Sequence, residues 1–363
     1  MVVLTGCGLP RTGPSESEIR AQGDETTLPF EIVPVTDAVA RLSTRDEGMR
    51  FQEAFRRSPP QNVNLIGPGD SIAVTVWENV GPSNVGVLTA VGQKFALLQE
   101  TQVDQDGFIF MPYVGRLRAA GNSPEALRRM IAEGLKDQTP DPQVEVRRLQ
   151  TRSATVSVIG SVATPGILPI EAATRRLLPM LSRAGGVTVE PEVAIVTLRR
   201  GRLSGRVWLQ DIYDHPEFNV PLRAHDQIIV ERDRRAFTAL GALGSQRRVA
   251  FPSRDINALE ALGLVGGLNT QISNPTGIFV FRTEPVEVAR AVIADKDIVE
   301  PQRVVYTIDL TRPGGLFTAK SFGIRDGDVI YVTEAPLVRW LKVLQAVAPV
   351  VNFANSATNL TNL

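Results

Sequence analysis

Apolar and polar positions alternate in short runs along most of this chain, and the period changes at recognisable breaks. A loosely apolar stretch from Val35 to Phe55 ends at Pro59-Pro60. In "NLIGPGDSIAVTVWE" a glycine/proline turn then precedes Ile72, Val74 and Val76, whose period of two predicts a strand. Asp106-Gly107 in "VDQDGFIFMPYVGRLRAAG" lies between apolar alternations and predicts a hairpin. Ser123 before Pro124 reads as a helix cap, and Leu127, Met130, Ile131 and Leu135 continue at helical spacing, so a helix is expected over 124–136. "PQVEVRRL" adds a strand, and residues 61–150 read as one α+β domain.

The following two hundred residues repeat a pattern. Gly160 and Gly241 are 81 residues apart, and so are Ala184-Gly185-Gly186 and Val265-Gly266-Gly267. "LQDI" at 209–212 answers "TIDL" at 307–310, and "RAHDQIIVERD" answers "RDGDVIYVTEA". The second copy carries about twenty extra residues, most of them near 285–303, which predicts a loop inserted in a shared fold. Each copy reads as strand, turn, strand, short helix ending in glycine, strand, hairpin, strand. The first of these helices is expected to end at Gly185, and Asn257 with Glu260 predicts a capping box on the second.

Composition narrows the function. At 43% hydrophobic and 21% charged, 363 residues can bury several cores. Lysine plus arginine equals aspartate plus glutamate at 39 each, so no global field draws the chain to nucleic acid. One cysteine and two histidines give no disulfide framework and no zinc spacing. There is no nucleophile elbow, P-loop or dinucleotide fingerprint, so neither an enzyme nor a cofactor is expected, and a glycan hydrolase would rest only on carboxylates scattered in turns. Asp104 and Asp106 could open a calcium loop, but the distal ligands are missing and a turn accounts for them. Arg199, Arg200, Arg202 and Arg206 could contact an anionic polymer or a partner, or simply solvate a hairpin. D-x-I-x-V occurs at Asp70, Asp226 and Asp328, where the aspartate reads as turn chemistry rather than a ligand.

The two ends carry the remaining signals. Leu4-Thr5-Gly6-Cys7 resembles a bacterial lipobox, with Cys7 as the lipidation site and residues 8 to 35 as a polar tether. Only Met1, Val2 and Val3 precede it, shorter than a secretory signal, so a truncated start is expected; the alternative is an ordinary buried cysteine. From Pro336, Arg339, Lys342, Gln345 and Asn352 fall on one stripe of a helix in otherwise apolar surroundings. Leu337 to Ala354 would be about 27 Å long, close to a hydrocarbon thickness of about 30 Å. The stretch can therefore be a membrane-spanning helix with a wet face, with Trp340 as an interface anchor, or an amphipathic helix capping a soluble domain.

"IGPGDSIAVTVWE" with "VDQDGFIFMPYVGRLRAAGNSPEALRRMI" resembles the polysaccharide export domain of Wza-type outer-membrane export lipoproteins. The tandem "VIGSVATPG … AGG" and "ALGALGSQ … VGG" units are similar to that family's soluble-ligand-binding β-grasp (SLBB) domains, more loosely in the second, where Gln246-Arg247 replaces Pro165-Gly166. The resemblance implies an α+β protein: residues 1–35 a lipobox remnant and tether, 36–150 the export domain, 154–235 and 236–335 two β-grasp repeats, 336–354 a transmembrane amphipathic helix, and 355–363 a polar tail. It further implies a homo-oligomer ring, an octamer by likeness, whose C-terminal helices form an α-helical barrel with Arg339, Lys342, Gln345 and Asn352 toward the lumen. The implied setting is the outer membrane, lipid-anchored, with the bulk in the periplasm. The substrate would be capsular or extracellular polysaccharide, and the partner an inner-membrane polysaccharide co-polymerase or tyrosine autokinase. The rival expectation is a periplasmic glycan-binding or scaffold lipoprotein without a pore.

Overall fold

The computed structural model describes residues 13–22, 30–43, 48–77, 98–139 and 141–338. The chain divides into two compact units, Gly48–Asp233 and a second in which Met1–Glu47 joins Arg234–Leu363.

The first elements are α1 (Glu16–Gln22), β1 (Glu31–Pro34), α2 (Asp37–Ser43) and α3 (Glu53–Arg56). Ser15 and Glu18 start α1 reciprocally: Glu18 N donates to Ser15 Oγ at 3.2 Å, and Ser15 N donates to Glu18 Oε2 at 2.8 Å. The expected tether to residue 35 is thus corrected, because part of it is helix and strand. The expected start of the export domain at 36 also moves. Ala40 of α2 joins the core of the second repeat, whereas Phe51 and Phe55 join that of the first.

The stretch read as one α+β domain comprises β2 (Ser71–Trp77), β3 (Leu98–Gln102), β4 (Phe108–Met111), β5 (Gly115–Arg118), α4 (Pro124–Leu135) and β6 (Gln143–Gln150). Strand β2 runs antiparallel between β3 and β6, and its alternating Ile72, Val74 and Val76 are fully buried together with Leu127, Ile131 and Leu135 of α4. Ser123 Oγ accepts from Ala126 N at 3.1 Å, as the cap signal required. Met130 departs from the helical pattern and is 37% exposed, since the buried stripe of α4 is narrower than its apolar one. Asp106-Gly107 does turn the chain, but it links β3 to β4, which pair in different sheets; the hairpin is β4–β5.

The first repeat contains β7 (Thr155–Gly160), β8 (Gly166–Pro169), α5 (Leu177–Arg183), β9 (Ala194–Arg200), β10 (Leu203–Trp208), α6 (Leu209–Asp214) and β11 (Gln227–Arg232). The second contains β12 (Ala236–Gly241), β13 (Arg247–Ala250), β14 (Ile256–Asn257), α7 (Ala258–Leu264), β15 (Ser273–Glu284), α8 (Val286–Ile293), β16 (Gln302–Ile308), α9 (Pro313–Ser321), β17 (Gly323–Ile324) and β18 (Val329–Glu334). Their sheets run β10-β9-β11-β7-β8 and β1-β16-β15-β18-β12-β13. Strand for strand the orders correspond, with the one parallel pair of the shared set at β11–β7 and β18–β12. The twenty extra residues become α8 and its flanks at the tip of the β15–β16 hairpin, where the first repeat turns through Gly201 and Arg202 alone.

The anchor glycines have one physical explanation. A Cβ on Gly160 would lie 2.0 Å from Val230 O, and one on Gly241 2.0 Å from Val332 O, at φ +92° and +91°. Only a bare Cα allows the first strand of each repeat to pass its parallel neighbour there. Asn257 and Glu260 form the expected capping box, with Asn257 Oδ1 accepting from Glu260 N at 3.0 Å and Asn257 N donating to Glu260 Oε2 at 3.1 Å.

Candidate functional site

The three D-x-I-x-V aspartates share one local geometry. Each is buried, and each accepts from the backbone N–H three residues earlier: Gly67 to Asp70 at 3.0 Å, Arg223 to Asp226 at 2.9 Å, and Arg325 to Asp328 at 2.8 Å. Asp70 also accepts from the N–H groups of Arg152 and Ser153 at 2.8 and 2.9 Å. In the repeats an arginine completes the site bidentately: Arg200 to Asp226 at 2.8 and 2.6 Å, Arg282 to Asp328 at 2.8 and 2.6 Å. These carboxylates hold turns, and their bonding capacity is occupied by the fold itself.

Around Arg282 the second repeat adds Glu284, which accepts from Tyr306 Oη at 2.7 Å and from Arg325 at 2.7 Å. Burial opposes the charge on Arg282, yet the hydrogen-bonded Asp328 outweighs it and raises the guanidinium pKa above its ordinary value. Burial and the Glu284 carboxylate push the Tyr306 hydroxyl well above the usual tyrosine range.

Asp104 and Asp106 likewise serve a turn. Asp104 Oδ1 accepts from Phe108 N at 2.7 Å, and Arg116 Nη2 donates to both carboxylates at 3.1 and 3.2 Å. The Phe108 N–H and then Arg116 hold the Asp104 carboxyl below its usual range. Among the described residues no cluster has the makings of a metal site. The Arg116 guanidinium also lies 4.2 Å from the centre of the Phe108 ring, and Phe110 and Tyr113 of the same hairpin are 64% and 55% exposed. Sequence reasoning did not single out these aromatics, although the F-I-F-M alternation places Phe108 and Phe110 on one face.

The four clustered arginines separate into two groups. Arg200 is committed to Asp226, to Ser58 Oγ at 2.7 Å and to Pro221 O at 2.8 Å. Arg199, Arg202 and Arg206 are exposed.

Cys7 and the stripe residues Arg339, Lys342, Gln345 and Asn352, with Trp340, lie outside the described residues, so the lipidation and lumen assignments rest on sequence. The places where the two end segments join the fold are described. Pro14 O accepts from Tyr331 Oη at 2.8 Å, and Glu16 accepts from Asn274 Nδ2 at 2.7 Å. Beside them, Ser273 pairs with Glu334, Ala335 N donates to Ile272 O at 2.8 Å, and residues 336–338 are helical. The segment leading back to Cys7 and the segment leading on to Arg339 therefore join the second repeat at the same end of its sheet. Among the described residues no helix is long and apolar enough to cross a membrane.

The family profile for polysaccharide biosynthesis/export protein matches residues 58–149. The likeness to individual relatives runs further. The capsule polysaccharide export outer membrane protein CtrA of Neisseria meningitidis serogroup A is 31% identical over 100% of this chain and 97% of its own. The capsule polysaccharide export protein BexD of Haemophilus influenzae is 28% identical over 99% and 95%. The polysialic acid transport protein KpsD of Escherichia coli is 30% identical over 54% of this chain and 33% of its own. The chain belongs to the polysaccharide biosynthesis/export protein family.

Proposed function

We propose that this protein is an outer-membrane subunit that passes capsular or extracellular polysaccharide from the periplasm to the cell surface. The observation that carries the proposal is likeness along the whole chain, not over the export domain alone, to proteins named as capsule polysaccharide export outer membrane proteins. In this account the protein performs no chemistry on the glycan. Subunits assemble as a ring, an octamer by family resemblance, around a water-filled passage. An inner-membrane co-polymerase or tyrosine autokinase delivers the polymer.

The convergence of the two end segments on one end of the second repeat fits this account. A diacylglycerol on Cys7 is seven residues from Pro14, so at about 3.3–3.6 Å per residue the membrane surface lies within about 25 Å of that end. The C-terminal stretch enters its helix from the same place. With Arg339, Lys342, Gln345 and Asn352 turned toward water in a helical barrel, Leu337, Trp340, Leu344, Val347 and Val351 meet lipid.

The test is complementation of a strain lacking its own export protein. Wild type restores surface polysaccharide, Gln345→Glu retains it, and Leu344→Arg loses membrane insertion because a lipid-facing arginine costs a few kcal/mol per subunit. Removal of residues 336–363 leaves a folded periplasmic protein that no longer exports. Normal surface polysaccharide from that truncation would overturn the pore and leave a glycan-binding or scaffold lipoprotein in its place.

A further inference from the structure

The sheets of the two repeats each have a face turned away from the core, and the two faces differ in chemistry. In the second repeat it carries Phe279, Val305 and Tyr331, which form a cluster with Ile19, Phe30 and Ile32 of the N-terminal segment. Strand β1 also covers the β16 edge of that sheet. In the first repeat the core takes Val196, Leu198, Val207, Ile228 and Val230, so Thr197, Arg199, Ser204, Arg206, Gln227 and Ile229 face the other way. Thr197 is buried there, as are Ile195 and Trp208 one row further on, while Arg199, Ser204, Arg206 and Gln227 toward the turn are exposed. The registers make these direct equivalents: Thr197 for Phe279, Arg199 for Phe281, Ser204 for Val305, Ile229 for Tyr331. Where one repeat places aromatic and aliphatic side chains under a protein cover, the other places arginine, serine and threonine.

The charge on this face is one-sided near the β9–β10 turn. Toward the hairpin end, two cross-strand rows, Ser204–Arg199–Gln227–Ser157 and Arg206–Thr197–Ile229–Ile159, contain no carboxylate; the next row, Trp208–Ile195–Glu231, brings in the single carboxylate of Glu231. Arg199 and Arg202 make no hydrogen bond or ion pair with the described residues, and Arg206 reaches only Glu231, at 3.8 Å. Arg202 at the hairpin tip, Arg199 one row in and Arg206 a row further form a line along the β9–β10 ribbon, with steps of about 7–8 Å. A row of solvated guanidinium groups, presented along a strand pair and its two-residue turn, matches a hydrated chain bearing repeated carboxylates.

The geometry points to the β9–β10 face of the first repeat as a binding surface for an acidic polysaccharide, with Arg199, Arg202 and Arg206 as its cationic contacts. This deepens the export proposal by naming the substrate class, and it rests on that proposal.

The test uses the full chain in detergent with two probes, an oligogalacturonate and a neutral dextran oligomer of matched length. Wild type binds the acidic probe in preference to dextran, and its affinity falls as salt is added. Neutralising the line (Arg199→Gln/Arg202→Gln/Arg206→Gln) lowers that affinity about tenfold or more, since three exposed charge contacts are lost. Neutralising Arg129, Arg147 and Arg312, which are also exposed but lie elsewhere, leaves it within about twofold. Equal binding of both probes by wild type, or undiminished affinity in the first triple variant, overturns the proposal. A change of oligomer size in that variant with binding unchanged also overturns it and makes the face a subunit contact. The 336–363 truncation keeps acidic-probe binding while losing export, so failure of the surface and failure of the pore give different results.

Discussion

The two repeats share a strand order, a glycine gate and a buried Asp–Arg clamp, yet they finish their sheets in opposite ways. The second covers its outer face and edge with residues of the N-terminal segment, whereas the first leaves Arg199, Arg202 and Arg206 in solvent. What they share must therefore be what the fold needs: Gly160 or Gly241 where strands cross, and Asp226 or Asp328 tying turn to strand. What differs is free to serve another purpose.

The largest predicted effect breaks the comparison outright. Deleting residues 13–43 exposes Phe279, Val305 and Tyr331 and frees the β16 edge. With each buried apolar side chain contributing roughly 1.5–3 kcal/mol, the loss rivals the ~5–15 kcal/mol stability of a whole domain. Hydrogen exchange should show 236–334 unprotected while 154–232 stays protected; equal protection in both would show that the segment is an accessory.

The clamps come next. Arg282, 4% exposed at its side chain, leaves buried Asp328 without its ion pair when replaced, while Glu284 keeps Arg325 and Tyr306, so Arg282→Met should cost about 3–5 kcal/mol in denaturant titrations. Arg200, at 14%, sits in a wetter site and should cost less. Reversal of that order would mean that burial does not govern the pair. A matched cost, at least ~2–3 kcal/mol each, is expected for Gly160→Ala and Gly241→Ala, because the obstructing carbonyl and the φ are the same. Unequal costs would show that the two repeats do not share this crossing.

The smallest effect is confined to the second repeat. Tyr306→Phe removes one hydrogen bond to buried Glu284, at about 1–3 kcal/mol. The folded-state pKa of Tyr306 is raised, so its contribution is complete below the unfolded value of about 10 and is lost as pH rises above it. Unfolding titrations should therefore show wild type losing stability above about pH 10 more steeply than the phenylalanine variant. Identical slopes would remove Tyr306 from the account.

Much of this was legible in the sequence because it is local or periodic. The strand at Ile72, the helix after Ser123, the Asn257–Glu260 box and the glycine offset of 81 each follow from spacing alone. What escaped depends on distant partners. "EIVP" shows no alternation long enough to mark a strand, and only the β16 edge, some 270 residues on, makes it one. The Asp–Arg clamps join residues 26 and 46 apart, so each aspartate looks like ordinary turn chemistry. Asp106-Gly107 specifies a turn but not which sheet receives the next strand. The split among the four arginines was available: Arg199 shares the parity of Thr197 and faces outward, while Arg200 meets the core-side turn of Asp226.

Conductance in planar lipid bilayers tests the central claim most directly. The purified full chain is predicted to give discrete ion-conducting steps, with none from protein lacking residues 336–363 at the same surface density. Steps of unchanged size from the truncated protein, or none from a full-length protein that still restores surface polysaccharide in cells, would contradict the assignment of the C-terminal helices as the exit.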